Sequence, residues 1–157
     1  MEHHFEFRDR RSWRLKGFDY SRAGAYFVTI CTQNRAWLFG NSVDGALQLH
    51  PAGEMVQQVW DAIPEYYPGI GIDAFIVMPN HIHGIVILKD SHSRRLSLPD
   101  VIHRFKTMTT KRYADGVRQL DWAPFRHRLW QRSFHDRIIR DRTAFLRIRT
   151  YIRNNPL

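Results

Sequence analysis

The sequence of 157 residues contains a single cysteine, Cys31. One thiol excludes an internal disulfide and any zinc site built from several thiolates of one chain. A metal bound by one copy of this chain must therefore use histidine, carboxylate or amide ligands. Long apolar runs are also missing, because the longest, such as 74–78 and 84–88, are too short to cross a bilayer. We expect no membrane span.

Residues 1–13 lack the apolar segment and the small-residue cleavage site of a secretion signal, and they carry charge throughout. A cytoplasmic location is therefore expected. Low-complexity segments are missing as well, and 43% hydrophobic and 13% aromatic residues are typical of a globular chain. The length suits one domain with one core.

Positive charge is absent from the middle of the chain and concentrated at its end. Residues 36–88 contain no lysine or arginine, although the net charge of the whole chain is +9. Residues 126–157 hold nine arginines, no lysine and only two acidic residues, Asp136 and Asp141. Such a run can be a solvated helix face, but arginine binds phosphate with two hydrogen bonds, which favours a nucleic-acid partner.

The hydrophobic pattern predicts a β-α-β-β-α-β order followed by one more helix. Strands are predicted at 26–32, 72–78, 81–88 and 129–139, helices at 51–67, 98–113 and 142–154, and a loop or short hairpin at 40–45. Ser97 and Asp141 are the expected N-caps of the last two helices. This order predicts an α+β, ferredoxin-like split β-α-β fold, with an antiparallel sheet, helices on one face and an additional C-terminal helix. Residues 1–24 are interpreted as a basic, aromatic arm and 25–157 as the domain.

His81 and His83 lie two residues apart in a predicted strand, so their side chains project from the same face, about 6.6 Å apart along the chain. Two neutral imidazoles on a sheet surface form a partial, open metal site. Paired strand histidines also commonly make ordinary hydrogen bonds, and both interpretations stay open at this point. A histidine-triad hydrolase would need a third histidine where Ile85 stands. The two separated His-x-Thr/Ser motifs of a two-histidine phosphoesterase are missing. A catalytic zinc site commonly takes three protein ligands, and no Glu or Asp stands close to the pair, so the third ligand must come from elsewhere.

Tyr151 and Asn155 are four residues apart in the last predicted helix, which makes the phenol and the amide neighbours on one helical face. An apolar stripe on that helix can pack on the sheet, while arginines can face phosphates; the arginines are Arg147, Arg149 and Arg153. The alternative is that Tyr151 is a boundary tyrosine and Asn155 a C-cap before Pro156.

Two stretches together resemble a known family: Pro79-Asn80-His81-Ile82-His83 and Tyr151-Ile152-Arg153-Asn154-Asn155-Pro156. They are similar to those of the REP-associated tyrosine transposases, relatives of the small insertion-sequence-200-like transposases. These enzymes carry an HUH motif, two histidines around a hydrophobic residue, and one nucleophilic tyrosine. Residues 11–20, 26–32 and 129–136 match as well, so the resemblance covers nearly the whole chain.

The resemblance implies that Tyr151 attacks a phosphorus of single-stranded DNA, leaving a 5′-phosphotyrosine and a free 3′-hydroxyl. It implies that His81, His83 and Asn155 bind Mg²⁺ or Mn²⁺, which acts as a Lewis acid, and that strand transfer needs no ATP. Hairpins of palindromic repeats in single-stranded form are the implied substrate. Insertion-sequence relatives work as dimers and repeat-associated ones can work alone, so a monomer and a homodimer are both compatible.

Other tyrosines fit the nucleophile role less well. Tyr113 has Val117 instead of an amide one turn later, and Tyr66 and Tyr67 lie in the stretch without positive charge. A different class of function also remains open, namely a non-catalytic nucleic-acid-binding domain on the same ferredoxin-like platform.

Basic residues in three regions are candidates for DNA contact. In the arm they alternate with Phe7, Trp13 and Phe18, which offers both phosphate contacts and stacking surfaces. The candidates are Arg8, Arg10, Arg11, Arg14 and Lys16 in the arm, Lys106, Lys111, Arg112 and Arg132 in the second half, and Arg147 and Arg153 in the last helix.

Overall fold

The computed structural model describes residues 23–89 and 96–154. The arm proposed for residues 1–24 therefore lies almost wholly outside the described residues. The elements, in chain order, are β1 Gly24–Cys31, β2 Gly40–Val43, β3 Ala46–Leu49, α1 Pro51–Asp61, α2 Ile63–Tyr66, β4 Ile70–Met78, β5 His81–Leu88, α3 Leu98–Gln119, β6 His135–Ile139 and α4 Arg142–Arg153. No helix in these two segments is long and apolar enough to span a membrane.

Four strands form one antiparallel sheet in the order β4-β5-β1-β6. This is the strand order of a ferredoxin-like sheet, and it confirms the predicted α+β fold. A two-residue turn, Pro79-Asn80, joins β4 to β5, so that Met78 pairs with His81. The predicted loop or hairpin before α1 is a small separate hairpin of β2 and β3.

Helices cover both faces of the sheet. On one face α1 and α3 bury Trp60 and Phe105 against Val28 and Ile82. On the other face α4 buries Ala144, Ile148 and Ile152, which are spaced four residues apart, against Phe27 and Ile85. Each fully buried isoleucine contributes about 1.5–3 kcal/mol, so α4 is held by apolar packing along its whole length. The additional helix thus closes the face that α1 and α3 leave open.

The first predicted helix, 51–67, is wrong as one continuous element. It ends at Asp61, and a separate turn, α2, follows after Ala62. Pro64 explains the break, because proline has no backbone N–H to donate to a carbonyl one turn earlier and its ring disfavours a helical residue before it.

The second predicted helix, 98–113, is too short. Ser97 caps α3 as predicted, accepting a hydrogen bond from the Asp100 backbone N–H, but the helix continues to Gln119. Gly116 lies inside α3 and does not end it. The Trp122 ring packs where a Cβ of residue 116 would lie, so this position needs glycine for packing. This tertiary contact makes glycine a packing residue inside the helix.

The fourth predicted strand, 129–139, is too long, since β6 begins only at His135. Trp130 forms an isolated bridge with Thr32, and the next three carbonyls accept hydrogen bonds from Lys106 Nζ, at 2.8 Å from Gln131, 3.2 Å from Arg132 and 3.3 Å from Ser133. A lysine from α3 therefore takes the carbonyls that a longer strand would offer to a neighbouring strand.

We expect Gly84→Ala to destabilise the protein by about 1–3 kcal/mol, because its Cβ would overpack a filled core. That Cβ would lie 2.6 and 2.7 Å from two Trp60 ring atoms and 2.9 Å from Phe75, and these two rings are stacked with centroids 4.3 Å apart. Urea denaturation measures the change. Gly71→Ala in β4 is the control, since its Cβ meets Ile87 at an ordinary 3.4 Å. Equal losses in both variants would contradict the expected overpacking.

Candidate functional site

The two histidines of β5 lie side by side on the sheet face that α4 covers. Their ring centroids are 4.7 Å apart with an interplanar angle of 74°. The alternation of side chains along a strand places both on this face, while Ile82 between them enters the core beneath α1 and α3. The predicted convergence of the two imidazoles is therefore present.

A hydroxyl from the neighbouring strand orients His83. Thr29 of β1 is the register partner of His83, and its Oγ1 lies 2.7 Å from His83 Nδ1. A threonine hydroxyl can accept a hydrogen bond from Nδ1–H or donate one to an unprotonated Nδ1, and the first arrangement leaves the lone pair on Nε2. Thr29 is a supporting residue that sequence reasoning missed. It lies two residues after Phe27 in the first strand, and this alternation could have indicated that the two side chains share a face.

A side-chain amide orients His81 in the same manner. Asn80, in the turn before β5, places its Oδ1 2.6 Å from His81 Nδ1. An amide oxygen only accepts, so Nδ1 carries the proton and Nε2 of His81 carries the lone pair. In metal-binding histidines, the ring nitrogen that does not bind the metal typically donates a hydrogen bond of this kind.

Both imidazoles are held neutral. Burial lowers the pKa of His83 to about 3, with a smaller contribution from the nearby His81. The pKa of His81 is lowered by burial and, second, by the positive charge of Arg35. Neutral imidazoles with free Nε2 lone pairs are the form that binds a divalent cation. The Mg²⁺ or Mn²⁺ expected from the sequence stays a prediction.

The third expected ligand, Asn155, lies outside the described residues. Within 23–89 and 96–154, no group of three or more His, Cys, Asp or Glu side chains is placed to hold a metal ion. The histidine pair is thus an open, two-ligand platform in the described part of the chain, and ligation by Asn155 stays a prediction.

Tyr151 stands over the same part of the sheet. Its ring centroid is 5.8 Å from that of His83 and 6.2 Å from that of Phe27, edge-on to both. The buried stripe of α4 continues through Ile152, while Tyr151 itself remains 50% exposed beside it. The structure therefore brings the predicted nucleophile next to the predicted metal ligands, from an element 68 residues farther along the chain than His83.

An ion pair fixes α4 on the sheet. Asp73 of β4 lies at a register shift between Ile72 and Phe75. Its two carboxylate oxygens accept hydrogen bonds from Arg149 Nε at 2.7 Å and from a terminal nitrogen of Arg149 at 2.8 Å. The hydrogen bonds from Arg149 lower the pKa of Asp73, against a raising effect of burial. The expectation that Arg149 faces phosphates is corrected, because its guanidinium is paired with Asp73.

Arg137 of β6 is a further residue of this face that sequence reasoning missed. It is the register partner of Phe27, on which the Tyr151 ring rests. Burial lowers the pKa of the Arg137 guanidinium, and negative charge on Tyr151 acts in the opposite direction. Arg137 lies two residues after His135 in the predicted last strand, so the alternation of side chains could have indicated that both lie on the same face of the sheet. A positive charge therefore lies beside the tyrosine, two strands away from the histidines.

The competing tyrosine of α3 is unsuited to nucleophilic attack. Tyr113 is buried, its hydroxyl donates to the Ala123 carbonyl at 2.7 Å, and burial raises its pKa to about 12. Tyr67 packs beneath the guanidinium of Arg104, 5.3 Å from its ring centroid, and Tyr66 is exposed at the end of α2. Of Tyr66, Tyr67, Tyr113 and Tyr151, only Tyr151 has its ring against that of His83.

The predicted DNA contacts are spread over several surfaces. Arg147 and Arg153 are exposed on α4, and Arg132 is exposed before β6. Lys111 and Arg112 are exposed on α3, in the layer on the opposite side of the sheet, and Lys106 holds the 131–133 backbone. The arm candidates Arg8, Arg10, Arg11, Arg14 and Lys16 lie outside the described residues. All of these assignments remain predictions.

Comparison with known proteins identifies similar sequences and folds. The sequence profile of the family "Transposase IS200 like" matches residues 25–155. An uncharacterized protein of Haemophilus influenzae (strain ATCC 51907 / DSM 11121 / KW20 / Rd) is 34% identical over 166 residues, which cover 94% of this chain and 88% of that protein.

Two solved structures share the fold. A REP-associated tyrosine transposase bound to a REP hairpin superposes with a TM-score of 0.63 at 20% identity, covering 91% of this chain and 72% of that one. A protein of Deinococcus radiodurans R1 described as a transposase superposes with a TM-score of 0.52 at 19% identity, covering 90% of this chain and 95% of that one.

The pKa of His83 predicts a loss of stability in acid. The imidazole titrates near 6.5 in the unfolded chain and near 3 in the folded protein, so the unfolded state takes up a proton first as the pH falls through this window. Between pH of about 7 and about 5 this contributes a loss of about 2 kcal/mol in the free energy of unfolding. Urea denaturation in a chelator should show a smaller loss for His83→Gln than for the wild type; equal losses would contradict a buried neutral imidazole.

Removing the carboxylate at position 73 should loosen α4. In Asp73→Asn, the backbone amides of 145–153 should exchange hydrogen faster than in the wild type, because the partner of Arg149 has lost its charge. Hydrogen exchange read by mass spectrometry measures this, with Asp61→Asn as the control, since Asp61 accepts only an exposed hydrogen bond from Gln57. Unchanged exchange in α4 would show that apolar packing alone holds the helix.

Proposed function

This chain belongs to the IS200-like transposase family, and we propose that it cuts and rejoins single-stranded DNA at or near hairpin repeats with Tyr151 as the nucleophile. The observation that carries the proposal is the contact of Tyr151 with His83, between α4 and β5. Membership of the family makes the protein a DNA-processing enzyme; the nuclease and strand-transfer steps, and the need for a metal, are the proposal.

A single-stranded hairpin is the substrate that the comparisons favour. The REP-associated transposase with the same fold was solved bound to a REP hairpin. The net charge of +9 and the exposed arginines on α4 support a polyanionic substrate near Tyr151. We propose hairpin DNA as the partner of this chain on these grounds.

His81 and His83 would hold the divalent cation through their Nε2 atoms, with Asn155 as the third ligand. When bound, Mg²⁺ or Mn²⁺ supplies Lewis-acid polarisation of the scissile phosphate. The supporting residues keep this donor set ready: Asn80 and Thr29 hold the two rings by their Nδ1 atoms, and burial keeps both rings unprotonated at neutral pH.

Tyr151 would supply the nucleophilic oxygen. Its phenol oxygen forms a bond to phosphorus, the bond between phosphorus and the 3′ oxygen breaks, and the phenol proton is lost while the leaving 3′ oxygen gains one. The 5′ phosphate then remains attached to the tyrosine, which preserves the energy of the broken bond for rejoining. Half-exposure of Tyr151 leaves room for the strand, and the packing of α4 restricts where the ring can lie.

We expect Tyr151→Phe to lower the formation of a covalent protein–DNA adduct at least about 100-fold, because the substitution removes the oxygen that would form the bond to phosphorus. The assay uses an end-labelled single-stranded hairpin with Mn²⁺, followed by denaturing electrophoresis. Tyr66→Phe is the matched control, since it removes another exposed phenol, at the end of α2. Wild-type adduct levels in Tyr151→Phe would overturn the nucleophile assignment.

His81→Ala separates catalysis from binding in the same assay. Loss of the adduct with nearly unchanged hairpin affinity supports the metal-ligand role. Should His81→Ala and Tyr151→Phe both leave every measured activity unchanged while the hairpin still binds, the chain would be the non-catalytic nucleic-acid-binding domain instead.

A further inference from the structure

The loop between β1 and β2, residues 32–39, is hydrogen-bonded to the turn that precedes the two histidines of β5. The backbone N–H of Thr32 donates to the Asn80 carbonyl at 3.0 Å, and its hydroxyl reaches the same carbonyl at 3.1 Å. The backbone N–H of Phe39 donates to the Pro79 carbonyl at 3.1 Å. Both ends of the 32–39 loop are therefore attached to the Pro79-Asn80 turn, directly before His81.

The backbone of this loop adopts an unfavourable conformation at two successive residues. Asn34 has φ of 58° and Arg35 has φ of 52°, in the left-handed region that favours glycine. Such a conformation is unfavourable for residues with a Cβ, and the surrounding hydrogen bonds must hold it. Strain of this kind concentrates at functional sites, and here it determines where the Arg35 side chain leaves the backbone.

Arg35 supplies positive charge on the histidine side of the site. Its side chain is exposed, and its charge acts on His81. Residues 36–88 contain no lysine or arginine, so β2, β3, β4 and β5 contribute no cation of their own near the histidines. A phosphate near His81 would be attracted by the positive charge of Arg35, whose guanidinium can bind phosphate with two hydrogen bonds.

Trp37 adds an exposed aromatic ring two residues later. Its side chain is 54% exposed, whereas Leu38 and Phe39, which follow it, are buried in the main core. The backbone that carries the indole is thus fixed while the indole faces solvent. An aromatic ring held in this way loses little conformational entropy when a nucleobase stacks on it.

We propose that Arg35 and Trp37 bind an unpaired part of the DNA substrate next to the histidine pair, with Arg35 on a phosphate and Trp37 stacked on a base. Unpaired DNA is the occupant that fits, because paired bases present their faces to each other and only an extruded or single-stranded base offers a face to an indole. The proposal rests on the proposed function for its substrate, but it concerns binding and needs no cleavage.

The test compares two DNA molecules in a chelator, where binding is measured without cleavage. One is a hairpin with single-stranded extensions on both sides of its stem, and the other is the same hairpin with a flush end. Fluorescence anisotropy should show that Trp37→Ala weakens binding of the extended hairpin about 5- to 150-fold, the range for loss of one base–aromatic stack. Binding of the flush hairpin should change less than about twofold.

Two further variants separate stacking from folding. Trp37→Phe keeps an aromatic ring and should retain most of the affinity, and Tyr66→Ala, which removes another exposed aromatic, should leave both affinities unchanged. Arg35→Gln should reduce the slope of log K against log salt concentration by about 1 for the extended hairpin, since one phosphate contact is lost.

Equal weakening of both DNA molecules by Trp37→Ala, or no weakening of either, would overturn the proposal. The result is independent of the nucleophile test. If Tyr151→Phe still forms the adduct while Trp37→Ala selectively weakens the extended hairpin, the proposed mechanism fails and the strand-binding role stands. If the adduct is lost in Tyr151→Phe but Trp37→Ala binds both DNA molecules as the wild type does, the proposed mechanism stands and the strand-binding role of Trp37 fails.

Discussion

Strand β1 pairs with β5 along its whole length, from Gly24 opposite Leu88 to Cys31 opposite His81, and this register decides what the histidines can do. It places Thr29 across from His83, where the hydroxyl holds the ring by Nδ1. A shift by one residue would turn every side chain of a strand to the other face, sending Thr29 into the core and an apolar residue toward His83. The orientation of the histidine pair therefore depends on a backbone ladder between two strands that are largely buried.

The site also requires that α4 packs on the β1–β5 ladder, on the sheet face that α1 and α3 leave open. Apolar packing of Ile148 and Ile152 supplies the attachment, and the ion pair of Asp73 with Arg149 fixes the position along the sheet. These contacts join elements from distant parts of the chain, so the tyrosine and the histidines form one site only in the folded protein. The 32–39 loop adds a third distant segment, hydrogen-bonded to the turn that begins β5.

Much of this fold was predictable because its patterns are local. The spacing of His81 and His83 indicated a shared face, Asp141 and Ser97 indicated helix starts, and Pro79-Asn80 indicated the turn between two strands. Two boundaries were predicted wrongly because a distant side chain changes which backbone conformation is stable there. Lys106 takes the carbonyls of 131–133, and Trp122 makes Gly116 acceptable inside α3. The break before α2 is different, since Pro64 marked it in the sequence itself.

Residue types and short spacings were sufficient to indicate the candidate site residues of this protein: two imidazoles on one strand face, one tyrosine on a basic helix and an excess of arginine. They were sufficient because alternation in strands and the 3.6-residue period of helices act over only a few residues. The tertiary structure alone decided that Tyr151 lies against His83, that Thr29 lies across from the His83 ring, and that Arg149 is paired with Asp73. Each of these relations joins separate elements, and they form only when the sheet register and the docking of α4 bring those elements together.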